Sequence, residues 1–366
     1  MKILLLCGKS TTVVWFRRTL IKELQARGCS VSVVALDDER REDIEEYGVD
    51  FYALNDSNRS TNPLKILTLA SRYATLVRQI SPDVVCTFML KPNIFGTLGA
   101  KKAGVKNIYS MVEGAGDVFI YNTLKWKLIR KFVCVMYKQA FKYSKKVFFL
   151  NNDDKDEFID RGLVCAEQCE IIPGIGVDLD RFSYTPVKNY RTFIMIARML
   201  KTKGVMEFCE AARKVKVSYP DAIFNLIGPE GTVTQADIQE YIDDGSVNYL
   251  GQKKDVRPYI EEASVNILPS YREGLGLVNA EAGAVGRPSI TCNTIGTKET
   301  VKDGYNGFLV KVADSDEIAE KAIYFIENPD KVELMGKNSR QLVEDVFDYN
   351  VINAKICKII NAPDRV

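Results

Sequence analysis

Short β-branched runs alternate with amphipathic helical stretches along the whole chain, and no other feature constrains its fold as tightly. Residues 3–7, 31–35, 51–54, 84–87, 108–112 and 147–150 read as buried parallel strands. Between them, 12–27, 63–80 and 93–103 have helical length and spacing, with Pro63 suited to a first helical turn after Asn62 as cap. A second series follows Asp178-Leu179-Asp180-Arg181-Phe182, with strands expected at 192–197, 222–227, 265–268, 289–291 and 308–310. Two β-α-β series predict an α/β chain with two doubly wound sheets. The length of 366 residues agrees, since it exceeds what one ordinary core organises. Residues 183–189, containing Pro186, read as the linker, and 349–360 as a helix beyond what the second sheet requires.

Composition narrows the chemistry. The chain has no histidine, so Ser-His and Cys-His nucleophile systems, HExxH metal sites and histidine bases are excluded. Its nine cysteines contain no CxxC pair; Cys165 and Cys169 come nearest, as CxxxC. Free thiols in a reducing cytoplasm are the expectation. The apolar start, Met1 to Cys7, is followed at once by polar residues and reads as a strand rather than a signal peptide. No apolar stretch reaches the roughly 18 residues of a membrane span. The net charge of +2 hides an asymmetry: residues 1–150 carry 24 Lys+Arg against 13 Asp+Glu, and the remainder 26 against 35. The front half suits an anionic partner.

Two segments carry the chemistry. Ser270-Tyr271-Arg272-Glu273-Gly274-Leu275-Gly276-Leu277 follows an expected strand, passes a Gly-rich turn and opens a helix. Free N–H groups and the positive dipole end make such a helix start an anion site, and Gly274 and Gly276 admit a phosphate closely. Glu281, about six residues into that helix and so ~9 Å along it, is spaced to accept ribose hydroxyls. Glu273 stays in the turn, within reach of a sugar hydroxyl. Arg198 ends the first strand of the second series and Lys203 begins the next helix, two cations suited to a diphosphate at the carboxyl end of a sheet. Taken singly, each segment also reads as an ordinary βα turn with solvated charges; one fold would bring both to one crevice.

Glu273 and Glu281 resemble the E-x7-E element of the retaining glycosyltransferases of GT-B fold often called family 4. Ala197-Arg198…Lys203-Gly204 is similar to that family's Gly-Arg…Lys-Gly element, and 175–182 to its interdomain passage. The resemblance covers nearly the whole chain. It implies domains at 1–183 and 188–345, with 346–366 returning as a helix onto the first. It also implies donor contacts from Gly8, Lys9, Ser10, Arg198, Lys203, Glu273, Gly274, Leu275, Gly276, Leu277 and Glu281, of which Arg198, Lys203 and Glu273 carry catalysis. Phe16-Arg17, Asn58-Arg59-Ser60, Lys91-Pro92-Asn93 and Val112-Glu113-Gly114-Ala115-Gly116 resemble a bacterial subgroup acting on undecaprenyl-diphosphate-linked sugars. Acceptor contacts are accordingly expected at Phe16, Arg17, Lys91, Asn93 and Glu113. Gly8-Lys9-Ser10 departs from the family's paired glycines, and the family's first-domain histidine, near Leu90-Lys91, is absent.

The resemblance implies a UDP-sugar donor, a lipid-linked saccharide acceptor and no metal or other cofactor. The diphosphate oxygen that leaves then deprotonates the attacking hydroxyl, so the missing histidine need not abolish transfer. Asp178-Leu179-Asp180 and Asp154-Lys155-Asp156 spell DxD but fall in the linker and near a helix start, where acids are ordinary. Ile3 occupies the place of a P-loop's first glycine, which argues against an NTPase. Nothing points to a nucleic acid. Residues 118–152 hold eight Lys/Arg and no acid. Trp126, Ile129, Val133, Met136 and Ala140 repeat there at helical spacing, with Lys127, Arg130, Lys131 and Lys138 interleaved. This pattern suits an anionic bilayer surface, and equally a helix packed on a sheet with solvated lysines. The resulting expectation is a cytoplasmic enzyme, peripheral on the inner face of the membrane. A nucleotide-sugar-binding subunit without catalysis and a GT-B epimerase are the alternatives.

Overall fold

The computed structural model describes residues 1–56, 63–114, 117–120 and 123–365, without the side chains of 63–67, 117 and 120. Asn58-Arg59-Ser60 and Ala115-Gly116 therefore lie outside the described residues. The strands form two parallel sheets. The first runs β3-β2-β1-β4-β5-β6-β7, with β1 Lys2–Leu6, β2 Ser30–Ala35, β3 Asp50–Ala53, β4 Val84–Phe88, β5 Asn107–Val112, β6 Lys146–Phe149 and β7 Cys169–Ile171. The second runs β10-β9-β8-β11-β12-β13, with β8 Thr192–Ile196, β9 Ile223–Ile227, β10 Asn248–Tyr249, β11 Val265–Leu268, β12 Ser289–Cys292 and β13 Gly307–Val310. Helices cover both faces, which is why β4 and β11 are buried at every residue and mainly apolar, Thr87 and Asn266 excepted. Strand order reverses between β1 and β4 and between β8 and β11, the switch points where ligands of such sheets bind.

Two strands escape the sequence. β7 has three residues, all half-buried, and β10 has two, exposed Asn248 and half-buried Tyr249; both lie at sheet edges where little apolar signal is needed. The helix expected at 12–27 is two, Ser10–Phe16 and Arg18–Ala26, broken where Arg17 turns its side chain into the core. The helix expected at 93–103 begins instead as a π-helical turn, Pro92–Gly96, and continues as Thr97–Lys102.

The chain divides into two compact units, Met1–Gly176 with Tyr349–Val366, and Val177–Asp348. The last helix, Tyr349–Ile359, belongs to the first unit and packs against Arg18–Ala26. Lys355 donates to Ile171 O at 2.7 Å, Arg27 donates to Pro363 O at 2.9 Å, and Arg365 pairs with Glu23. The first unit's core centres on Tyr137, Phe141, Phe149 and Phe158, the second's on the stacked rings of Phe193 and Phe224 at 4.7 Å.

The passage expected at 183–189 is not a free linker. Arg287, fully buried, donates to Thr185 O at 2.6 Å, Thr185 Oγ1 at 2.8 Å and Glu261 O at 2.8 Å. The first unit accordingly ends at Gly176, not at 183. Burial pushes the Arg287 guanidinium down to about 10, and its carbonyl partners offset the cost of a buried charge. Arg287→Ala would leave those carbonyls without donors, and the second unit should lose about 3 kcal/mol. Urea unfolding that matches the parent would refute this role.

Candidate active site

In the second unit, the chain segments leaving β8, β11 and β12 are pressed together through backbone. Gly204, at φ +76°, closes the turn Lys201–Lys203, and a Cβ there would lie 2.2 Å from Pro269 O. The β8 exit therefore touches the β11 exit, and Tyr271 N donates to Thr202 O at 2.9 Å. Gly296, at φ +81°, sits where a Cβ would meet Glu273 O at 2.3 Å. Glu273 N donates to Ile295 O and Gly276 N to Gly296 O, each at 3.0 Å. Any side chain at these two glycines would force the segments apart.

This packing brings Lys203 and Glu273, 70 positions apart, into an ion pair with both side chains largely shielded from solvent. Helix Leu277–Val285 opens behind them on Gly276, with no acid in its first turn to compete for an anion. Asn279, buried, donates to Thr300 Oγ1 at 3.0 Å and accepts from Asn266 at 2.8 Å, which holds the helix start in place. Leu275 and Gly276 are buried, whereas Gly274 and Leu277 are half-buried. Arg198 leaves β8 exposed to solvent. The helix starts at Leu277, so Glu281 is its fifth residue and lies ~6 Å along it rather than ~9 Å. Burial pushes the Glu281 carboxyl up to about 7, opposed by nearby Arg181. Glu207, which accepts from Tyr271 Oη at 2.5 Å, was not anticipated and braces the same turn.

In the first unit, Gly8 is buried, Lys9 exposed, and Ser10 buried at the β1 exit. The Ser10 hydroxyl is engaged by Asp37 past β2 and accepts from Arg40 N at 3.2 Å, so it fastens two strand exits together. Arg17 is 2% exposed, ion-paired to Glu113 past β5, and stacked 4.0 Å over the Phe88 ring. Burial lowers its guanidinium to about 10. Phe16 beside it is half-buried. Lys91 Nζ stands 4.0 Å from Asp56, which also accepts from Arg72 at 3.1 Å. Burial lowers the Lys91 ammonium, and Asp56 opposes the shift. Asn93 corrects the expected acceptor set: it is fully buried, accepting from Thr87 at 2.8 Å and donating to Met111 O at 2.8 Å. Its amide braces β4 against β5 and has no surface for a ligand. Asp37 and Asp56 were missed, although each is an acid just past a strand, where sites in such sheets gather. Met89, just past β4, adopts φ +72°, a conformation a non-glycine residue seldom holds without cause.

The basic stretch forms the helix Leu124–Phe141. The stripe expected to face a membrane faces the protein instead. Val133 and Ala140 are buried, Ile129 and Met136 pack on the core, and Trp126 is half-buried. Lys127, Lys131 and Lys138 are exposed, while Arg130 reaches back to Val118 O at 2.7 Å. Neither DxD segment gathers metal ligands: Asp154 is buried beside its capping Asn151, and no cluster of three or more His, Cys, Asp or Glu occurs among the described residues.

Residues 2–151 match the family model Glycosyl transferase 4-like, and 177–342 match Glycosyl transferases group 1. The chain is 28% identical, over all its length and 99% of the relative, to N,N'-diacetylbacillosaminyl-diphospho-undecaprenol alpha-1,3-N-acetylgalactosaminyltransferase of Campylobacter jejuni. It is also 28% identical, over 77% of the chain and 75% of the relative, to UDP-Gal:alpha-D-GlcNAc-diphosphoundecaprenol alpha-1,3-galactosyltransferase of Escherichia coli. Among solved structures, a glycosyltransferase from Rickettsia africae superposes with a TM-score of 0.80 at 20% identity, covering 98% of this chain and 97% of that one. Anabaena Alr3699/HepE in complex with UDP and glucose gives 0.81 at 18% identity, covering 99% of each. The two Rossmann-like units with the last helix in the first are the GT-B fold.

The raised Glu281 carboxyl predicts a pH-dependent stability. Its folded value of about 7 exceeds the ordinary 4.5, so the folded protein binds the extra proton between them. That contribution is complete below about pH 4.5 and is lost as pH rises through 7, up to about 3 kcal/mol. Glu281→Gln should flatten this fall and unfold at higher urea than the parent at pH 8. Parallel stability profiles from pH 5 to 8 would count against the shift.

Proposed function

Because the chain belongs to the glycosyl transferases group 1 family, we propose that it moves a hexose or N-acetylhexosamine from a UDP-sugar to a sugar already linked to undecaprenyl diphosphate. The observation that carries this reading is the ion pair of Lys203 with Glu273 beside the open start of helix Leu277–Val285. A diphosphate needs cations and is favoured by the positive end of a helix dipole, and a sugar needs a carboxylate to accept its hydroxyls; Lys203, the start of helix Leu277–Val285 and Glu273 bring these together. The full-length similarity to an enzyme whose name specifies a diphospho-undecaprenol acceptor supports the acceptor class.

In this reading Arg198 and Lys203 bind the donor diphosphate, Glu273 the transferred sugar and ionised Glu281 the ribose. Lys203 exchanges part of its pairing with Glu273 for phosphate oxygens as the donor enters. The bond from the anomeric carbon to the diphosphate oxygen breaks, and the acceptor oxygen forms its bond on the same face, retaining configuration. The hydroxyl proton passes to the departing diphosphate oxygen, so no histidine is required. The two cations stabilise charge growing on that oxygen in place of a metal. The reading also assigns Gly8, Lys9 and Ser10 to the donor and Phe16, Arg17, Lys91 and Glu113 to the acceptor. The protein works on the cytoplasmic face of the membrane, held there by the exposed lysines of the helix Leu124–Phe141.

Incubating the protein with a panel of UDP-sugars and short-chain polyprenyl-diphosphate saccharides, read by mass spectrometry, tests the whole reading. One donor should extend the acceptor by one sugar, with the rate unchanged by EDTA. Free epimerised donor without a glycosylated product would overturn the reading, and a rate abolished by EDTA and restored by Mn²⁺ would overturn the metal-free mechanism. Arg198→Ala and Lys203→Ala should each lower kcat/KM by about ten- to a hundredfold, the value of one charge-assisted phosphate contact. Parental kinetics in both variants would remove the diphosphate assignment.

A further inference from the structure

The outward side of the helix Leu124–Phe141 carries an apolar row and a cationic groove side by side. Leu124, Leu128, Phe132 and Val135 are 75%, 64%, 55% and 53% exposed, at spacings of four, four and three residues. That spacing places them on one face. Next to the row lies a groove of about 480 Å³, walled by Lys127, Arg130, Lys131 and Lys138 and closed by Arg161 and Leu163. Arg161 follows the neighbouring helix Asn152–Asp160. No acid lines the groove. Glu157 pairs with Arg161 at 2.8 Å from outside it, and Arg130 spends its Nε on Val118 O. Lys127, Lys131 and Lys138 have no acidic partner among the described residues. Such a groove calls for a polyvalent anion, and the apolar row beside it calls for a hydrocarbon. One molecule satisfies both.

The groove's direction separates it from the transfer site. Helices return antiparallel to the strands of a parallel sheet, so Leu124 starts near the carboxyl edge and Lys138 lies ~21 Å further along. Arg161, at the end of a helix that follows β6, stands at that same remote edge, where a Cβ on Gly162 would lie 3.7 Å from Lys138 Nζ. A phosphate held by Lys138 and Arg161 is therefore well away from the carboxyl edge, where the substrates of such sheets react. We propose that the groove binds the headgroup of an anionic glycerophospholipid of the bilayer, with Leu124, Leu128, Phe132 and Val135 seated among its acyl chains. This inference rests on the reading that the protein works at a membrane, and it assigns the docking edge of the first unit.

Co-sedimentation of the full chain with vesicles tests it, comparing phosphatidylcholine alone with an equimolar mixture of phosphatidylcholine and phosphatidylglycerol. The parent should bind the mixture and not the neutral vesicles. Lys138→Gln with Arg161→Gln should lower that partitioning about twenty-five-fold, at about fivefold per cation lost near an anionic surface. Its KM for a short-chain, water-soluble polyprenyl-diphosphate saccharide should stay at the parent's value. Leu128→Ser with Phe132→Ser should weaken binding while leaving its dependence on salt unchanged. Should Arg161→Gln perturb folding, Lys138→Gln alone, at an exposed lysine, should still lower partitioning about fivefold. Parental partitioning in both lysine variants would overturn the headgroup site while sparing the membrane reading. A raised KM with vesicle binding intact would give the groove to the substrate's diphosphate and overturn it too. A parent that transfers sugar but ignores anionic vesicles would remove the membrane reading itself.

Discussion

A parallel strand can be followed by another only if the chain crosses back over a face of the sheet, and everything functional in this protein depends on that constraint. Each crossing returns the chain to the same starting edge, so all strand exits of a sheet collect on the opposite one. At the switch between β8 and β11, neighbouring exits diverge to opposite faces and leave a gap between them. The gap is narrow because two glycines let backbone meet backbone, Gly204 against Pro269 and Gly296 against Glu273. Lys203 and Glu273 are adjacent because of those approaches and not because of any affinity of their own. A surface ion pair is worth little, whereas this one is positioned by the fold and largely shielded from solvent.

The first unit handles its charges differently. Arg17 and Glu113 are drawn under the strand exits and paired there, with the guanidinium against an aromatic ring. A charge so placed is costly to leave alone and rigid once paired, so removing one partner would cost far more than the pair contributes. Ser10 with Asp37 and Lys91 with Asp56 repeat the pattern of polar groups from two strand exits closed on each other. The first unit thus carries its polar groups as braces, and the second keeps Arg198 open to solvent.

How much of this was legible in the sequence depended on whether a feature repeats locally. Buried strands such as 84–87 and 265–268 announce themselves through mainly apolar, β-branched runs, and the Glu273 turn through its glycines. The edge strands β7 and β10 are too short to show a period. Arg17 breaks a helix that local propensity would have continued, because its partner Glu113 lies 96 residues away. Asn93, expected among the acceptor contacts from its resemblance, is turned into the core toward Thr87 within the π-helical turn. Nothing local in the sequence marks Arg287, which binds the 183–189 passage to its unit. Each miss is a tertiary partner overruling a local preference.

The basic helix shows why the period of a pattern cannot say which way it faces. Val133, Tyr137 and Ala140 make one apolar stripe, and Leu124, Leu128 and Phe132 make another with nearly the same spacing. From sequence, the stripe with lysines interleaved looked like the surface-seeking one, since charges beside apolar residues suggest an interface. The lysines are interleaved with both stripes, because on a helix any residue lies within a turn of every face. Only the sheet beneath decides, and it takes the stripe whose members fit against Phe158 and Phe149. What remains outside is the row Leu124, Leu128, Phe132 and Val135, each more than half exposed. Five cations, Lys127, Arg130, Lys131, Lys138 and Arg161, line the groove beside that row, so the helix face turned away from the sheet pairs apolar surface with unbalanced positive charge.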